Sequence, residues 1–345
     1  MLLPSNMDVT PRPDGDEGQT AEDIVHGHLF LPSKPSAALA VSRVQAAGDD
    51  ALSRLIVVFI NGLILPKSAW LPVMQAVLDT LRDLTDNGSQ PEMLAYDRYG
   101  QGLSDPDPLD AEPRKEPGYG HGILDVVDDL GQLLDHIHGS LVPRKRLVFV
   151  ASSIGCPISR LYTQKDENSV AGIVFLDSMM ANQNFIDMFP DPSSPDFDPG
   201  SLPDGVTTDI LIEQRQQFRQ RFAPDVKNGE GLDRRNLAAL LPESDAPLLS
   251  GYGGKPPFLT VVGHDKETFA RQSLEGDMKT PVAFTESYMQ PTWERYNQGL
   301  LKLSDPDRVE GVIIARGCGH FIPRDDPAFS ASMVIDVIQR VIGAI

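Results

Sequence analysis

Cysteine is scarce: only Cys156 and Cys318 occur in 345 residues, in distant parts of the chain. That excludes a disulfide framework and fits a reducing compartment. Long hydrophobic runs are missing as well. Nowhere do about 18 apolar residues follow one another, and the N-terminus, MLLPSNMDVTPRPDGDEGQT, has no basic flank leading into an apolar stretch. The C-terminal GAI matches no peroxisomal or retention signal. A cytoplasmic protein with no membrane span is expected. Basic residues are the third scarcity, with 30 Lys and Arg against 49 Asp and Glu and a formal net charge of −19. Without a basic stripe, nucleic acid and anionic membrane surfaces are disfavoured partners.

What is present is a rhythm. Residues 1–22 are rich in Pro, Gly, Asp and Thr without apolar periodicity, which predicts a mobile tail. DIVHGHLFL and ALAVSRVQA have the partial alternation of a starting antiparallel pair. From residue 54 onward, continuous apolar runs (RLIVVFING, EMLAYDRYG, RLVFVASS, VAGIVFLDS) alternate with segments of helical spacing, such as Trp70, Val73, Val77 and Leu81. Such a pattern predicts an α/β fold with a mainly parallel sheet flanked by helices. It breaks across residues 178–255, which are rich in Pro, Asp and Met. The expectation is therefore a core formed by 23–177 and 256–345, with 178–255 a mostly helical lid inserted after the sixth strand.

In an open α/β sheet, reactive groups gather at the carboxyl ends of the strands. One such end is LVFVASSIGCP, residues 147–157, where an apolar strand runs directly into two serines and a glycine. A sharp strand-to-helix turn requires small residues two positions either side of its apex. For Ser153 those neighbours are Ala151 and Gly155; for Ser152 they are Val150 and Ile154. Ser153 is thus the predicted nucleophile. A serine hydroxyl needs a base, and the base needs an acid that holds its tautomer. His320, in the Gly-rich turn of GCGHFIPRDDP, is the predicted base. Two carboxylates end suitable strands: Asp177 in GIVFLD and Asp265 in FLTVVGHD. Either also has a structural role open to it, Asp177 in capping the loop that leaves its strand and Asp265 in starting the next helix. Asp265 is favoured, because an acid beside the histidine loop reaches the ring without crossing the nucleophile strand. His26 and His28 share a strand face, yet no further ligands cluster with them, so no metal is expected and no cofactor is called for.

Taken together, these segments resemble the α/β-hydrolase fold family from about residue 23 to 345. VVFINGLILPKSAWLPV is similar to the family's strand and oxyanion loop, with Asn61 where a histidine is usual. LAYDRYGQGLSD is similar to its Asp-x-x-Gly-x-Gly-x-Ser segment at Asp97, Gly100, Gly102 and Ser104. ASSIG stands for GxSxG with Ala151 in the first position, and GCGHFI matches the histidine loop. The resemblance implies that the backbone amides of Leu63 and Ile154 form the oxyanion hole. The family usually takes its acid from the later strand in a Gly-x-x-Asp turn, which here is one residue shorter at Gly263, His264 and Asp265, and some members use the earlier strand. It also implies a serine hydrolase acting on an ester, lactone or thioester. The branch that opens epoxides uses a carboxylate nucleophile, unlike the serine apex here. Carbon–carbon bond hydrolysis, and isomerase, cyclase or binding roles, are the alternatives on the same fold. A flexible apolar group after the strand end, with Met179, Met180 and Phe185, together with Asn61 and Gly62, is expected to bind a medium-sized apolar small molecule.

Overall fold

The computed structural model describes residues 23–85, 88–111, 116–139 and 145–344. The expectation about residues 1–22 lies outside the described residues. Among the described residues there are ten strands: β1 (Val25–Leu31), β2 (Lys34–Val44), β3 (Leu55–Ile60), β4 (Glu92–Tyr96), β5 (His121–Gly122), β6 (Arg146–Ser152), β7 (Val170–Leu176), β8 (Leu232–Asp233), β9 (Phe258–His264) and β10 (Val309–Ala315). Eight of them form one sheet in the order β1-β2-β4-β3-β6-β7-β9-β10, and β5 pairs with β8 in a two-residue ladder. The β1–β2 and β2–β4 pairs are antiparallel and the rest of the large sheet is parallel.

The continuous apolar runs are explained by burial on both faces. Ile56, Val58 and Ile60 of β3 join one core layer, whereas Leu55, Val57 and Phe59 join the other, as the two-residue period of a strand requires. Helices α1 (Leu71–Leu84) and α10 (Pro327–Gly343) cover the second layer, and α2 (Ile123–His138) and α3 (Gly155–Lys165) cover the first. Helix α1 does so through Val73, Met74, Val77, Leu78 and Leu81, the spacing read from its sequence. Strand β10 sits at the sheet edge and is only partly buried.

Between β7 and β9 the chain leaves the sheet as expected, but it is not mostly helical. One long helix, α4 (Thr208–Phe222), is accompanied by the four-residue α5 (Leu237–Leu240), short 3-10 turns and irregular chain. Proline and aspartate, frequent throughout this stretch, restrict φ or offer side-chain acceptors that compete with helical hydrogen bonding. Strand β8 and α5 follow one another closely, so this part of the stretch is only briefly helical. A second excursion was not foreseen. The β9–β10 connection carries α6 (Lys266–Glu275), α7 (Val282–Phe284) and α8 (Gln290–Leu300). Among the described residues no helix is long and apolar enough to cross a membrane. Both cysteines are free and buried in different core layers.

Candidate active site

Strand β6 ends at Ser152, and α3 begins three residues later at Gly155. The reversal is so tight that Ser153 takes φ +53°, a left-handed conformation that side chains rarely adopt and that is associated with functional turns. A Cβ on Gly155 would lie 2.4 Å from the carbonyl oxygen of Ile60, so the small-residue requirement is a contact with β3. Ser153 N–H donates to Leu176 O at 3.3 Å, and the amide of Met179 donates to Ser153 O at 3.2 Å. The turn is tied to the end of β7 on both sides.

The Ser153 hydroxyl lies 3.1 Å from His320 Nε2, and His320 Nδ1 lies 2.6 Å from Asp177 Oδ2. The favoured carboxylate, Asp265, is corrected by this geometry. Its Oδ1 accepts from the amide of Thr268 at 2.9 Å and caps α6, and that amide hydrogen bond leads in holding its carboxyl below the ordinary value. With the turn one residue short, His264 stands before Asp265 and occupies the strand end next to Asp177. The alternative acid, Asp177, is fully buried.

Asp177 accepts from two histidines. His264 Nδ1 lies 2.8 Å from its Oδ1, and the His264 amide donates to the same oxygen at 3.3 Å. Burial works to raise this carboxyl, but the adjacent His264 and then His320 outweigh it and hold it down to about 2. An ionised carboxylate only accepts hydrogen bonds, so both ring Nδ1 atoms donate. In the neutral ring His320 Nε2 is then free to accept from the Ser153 hydroxyl it faces. His264 is itself fixed by Phe269, stacked at 4.1 Å between centroids, and by Trp293, edge-on at 5.3 Å. Trp293 also packs 5.6 Å from the His320 ring and donates from Nε1 to Ser178 O at 2.9 Å.

The loop after β3 is held by its carbonyls. Arg98 Nη1 donates to Asn61 O at 2.8 Å and Nη2 to Gly62 O at 2.9 Å, while Gln101 Nε2 donates to Gly62 O at 2.9 Å. The amides of Leu63 and Ile154 donate to no atom of the chain among the described residues. Arg98 is in turn gripped by Glu230 from the excursion, with contacts of 3.0 to 3.3 Å and both side chains 2% exposed. Asn61, expected among the substrate-binding residues, does not line the cavity. It is 2% exposed, with Oδ1 accepting from Trp70 Nε1 at 2.8 Å and Nδ2 donating to Tyr96 O and Gln101 Oε1, both at 2.9 Å. It braces the loop from beneath.

A cavity of about 370 Å³ opens on Ser153 and His320. Gly62, Leu63, Met179 and Phe185 line it, whereas Met180, fully buried, belongs to the core beside it. Residues 178–255 contribute Phe218 and Phe222, and the β9–β10 connection contributes Phe269, Met289 and Trp293. The second set was missed because nothing local in the sequence ties those helices to the serine. His264 and Arg98 lay inside quoted motifs, but their contacts come from distant strands. Among the described residues no group of three His, Cys, Asp or Glu side chains converges in a metal-binding arrangement. His26 instead pairs with Ser42 at 2.8 Å.

Comparison with known proteins agrees with this architecture. A model of the alpha/beta hydrolase family matches residues 57–332. Among solved structures, an epoxide hydrolase from Vigna radiata is similar at 14% identity and a TM-score of 0.51, covering 93% of this chain and 100% of its own. Potato (Solanum tuberosum) epoxide hydrolase I is similar at 15% identity and a TM-score of 0.54, covering 92% of this chain and 99% of its own. At such identities the likeness is one of fold. No curated protein matches the sequence.

Proposed function

The chain belongs to the α/β hydrolase family, and we propose that it is a serine hydrolase in which Ser153 is the nucleophile, His320 the base and Asp177 the orienting acid. The observation that carries this reading is the unbroken hydrogen-bonded path from Ser153 Oγ through the His320 ring to a buried, ionised Asp177. His320 Nε2 takes the hydroxyl proton as Oγ attacks a carbonyl carbon, and the imidazolium so formed lies against the Asp177 charge. The tetrahedral oxyanion is received by the amides of Leu63 and Ile154. Because Arg98 and Gln101 hold the carbonyls of Asn61 and Gly62, the loop's amides face the charge without reorganising. His320 then protonates the leaving group, and water attacks the acyl-enzyme by the same route in reverse.

Esters, lactones and thioesters of a medium-sized, largely apolar small molecule suit the cavity. Residues 178–255 act as its lid, sharing that role with the β9–β10 helices. Epoxide opening, named for the structural neighbours, is disfavoured because the residue at the apex is serine and the buried carboxylate lies behind the histidine. A fluorophosphonate probe tests the reading: Ser153 of the folded protein is expected to be labelled, and Ser153→Ala to remain unmodified. A folded protein that leaves Ser153 unlabelled, and that turns over none of a panel of esters, lactones, thioesters and diketones, overturns it. Turnover of diketones alone favours carbon–carbon hydrolysis by the same serine.

A further inference from the structure

Arg234 follows strand β8 and lines the cavity that holds Ser153, yet it is only 5% exposed. Its guanidinium is half satisfied. Nη2 donates to Ala223 O at 3.3 Å and Val226 O at 3.2 Å, just past the end of α4. Buried Nε has no partner, and no described atom accepts from Nη1. No carboxylate forms an ion pair with it among the described residues. Glu230 is near enough to act on its charge, but that carboxylate is engaged by Arg98, so two guanidiniums share one buried anion. Asp225, also within electrostatic reach, pairs at 3.5 Å with the exposed Arg219.

A buried guanidinium with no carboxylate paired to it and with its Nε unpartnered is unfavourable unless something else supplies the anion. The rest of the cavity wall is mainly aromatic and aliphatic. A second arginine, Arg221, lines the same cavity, and its nearest ion-pair partner is Asp277 at 3.9 Å, 92% exposed. In a chain of net charge −19, a cavity lined by two arginines against a single carboxylate, Asp277, is a local reversal of sign.

We propose that Arg234, aided by Arg221, is an anion-recognition subsite, and that the substrate is an apolar acyl compound carrying a free carboxylate away from the bond that is cleaved. This rests on the serine-hydrolase reading for the word substrate, while the subsite itself is independent of turnover. A carboxylate seated there makes charge-assisted hydrogen bonds with the idle donors and completes the charge balance of Arg98, Glu230 and Arg234. The apolar body lies between that anchor and Ser153.

The binding test uses the Ser153→Ala protein and two probes of equal size, 4-phenylbutanoate and 4-phenylbutanamide, followed by calorimetry. The carboxylate is expected to bind at least about tenfold more tightly, with a preference that weakens as salt is raised. Arg234→Met is expected to remove the preference and Arg234→Lys to keep part of it. Equal binding of the two probes overturns the proposal, and this measurement needs no Arg234 variant to fold. A preference retained in a folded Arg234→Met protein overturns it as well. The turnover test compares the mono-4-nitrophenyl ester of a dicarboxylic acid with its methyl-capped counterpart. The ratio of kcat/KM values is expected to favour the free acid by about tenfold and to fall toward one in Arg234→Met. Carboxylate binding without any turnover upholds the subsite and counts against the hydrolase reading; turnover that ignores the carboxylate does the reverse.

Discussion

His320 and Asp177 stand 143 positions apart in the chain and meet at 2.6 Å, Nδ1 to Oδ2. Two parallel neighbours make this possible. Strand β7 delivers Asp177 and lies directly beside β9, whose neighbour β10 leads into the histidine loop. Asp177 turns back toward that loop with φ +47°, and its amide is fixed by donation to Val262 O at 2.9 Å.

The consequence is a pair of contrasting variants. Asp177→Asn keeps the shape but disturbs the tautomer of His320, and kcat is expected to fall by roughly 10⁴-fold. Asp265→Ala removes a helix cap, so it is expected to lower stability by about 1 kcal/mol and to leave kcat nearly unchanged. Steady-state kinetics with denaturant unfolding on both proteins checks the assignment. Loss of kcat in Asp265→Ala alone overturns it.

The sheet and the serine turn were legible from the sequence because their signals are local. Buried parallel strands announce themselves as apolar runs, and the apex at Ser153 is selected by residues two positions away. The carboxylate that pairs with His320 was not legible. Asp177 and Asp265 both end apolar strands, and choosing between them depends on which side chain turns toward the histidine, a matter of strand order and backbone conformation. The same holds for Asn61 and Met180, whose burial is set by Trp70, Tyr96 and the packing of distant helices. Trp293 and Phe269 sit in helices whose amphipathic spacing says only that they are covered.

Backbone conformation at Ser153, the proposed nucleophile, is expected to be visible as stability. Ser153→Ala and Ser153→Gly both remove the hydroxyl and its bond to His320, but only glycine accepts φ +53° without strain. A non-glycine residue in that region costs about 1 to 2 kcal/mol, part of which glycine gives back through its more flexible unfolded chain. The Gly variant is therefore expected to be up to about 1 kcal/mol more stable than the Ala variant, with both inactive. Urea midpoints measure the difference, and an Ala variant at least as stable removes strain from the account.

Arg98 links the excursion to the loop after β3, so its partner is expected to affect both stability and rate. Glu230→Ala leaves a guanidinium 2% exposed without its carboxylate, a change expected to destabilise by about 3 to 5 kcal/mol. Glu230→Gln keeps a neutral acceptor and is expected to lose less. In the Gln protein the Arg98 grip on the carbonyls of Asn61 and Gly62 is looser, and kcat is expected to fall more than KM rises, because in the proposed mechanism the Leu63 amide of this loop receives the oxyanion. A kcat indistinguishable from wild type in a folded Gln variant shows that the loop holds itself.

The last expectation concerns acid. Asp177 has an ordinary value of 3.8 and is held at about 2 in the folded protein, so below about pH 4 the unfolded chain binds a proton that the folded one refuses. The stabilisation is fully present above that point and is lost as pH falls from about 4 to about 2. It amounts to about 2 kcal/mol. Asp177→Asn has no such group, and its stability is expected to change less with pH across that window. His264→Gln removes the histidine that contributes most to lowering the carboxyl, leaving burial less opposed. Its acid limb is expected to begin near the same pH as that of the wild type but to be smaller and to end at a higher pH. Urea unfolding followed between pH 2 and 5 reads all three limbs; identical limbs in wild type and Asp177→Asn would mean that other carboxylates dominate acid unfolding and that the two histidines do little to hold this charge.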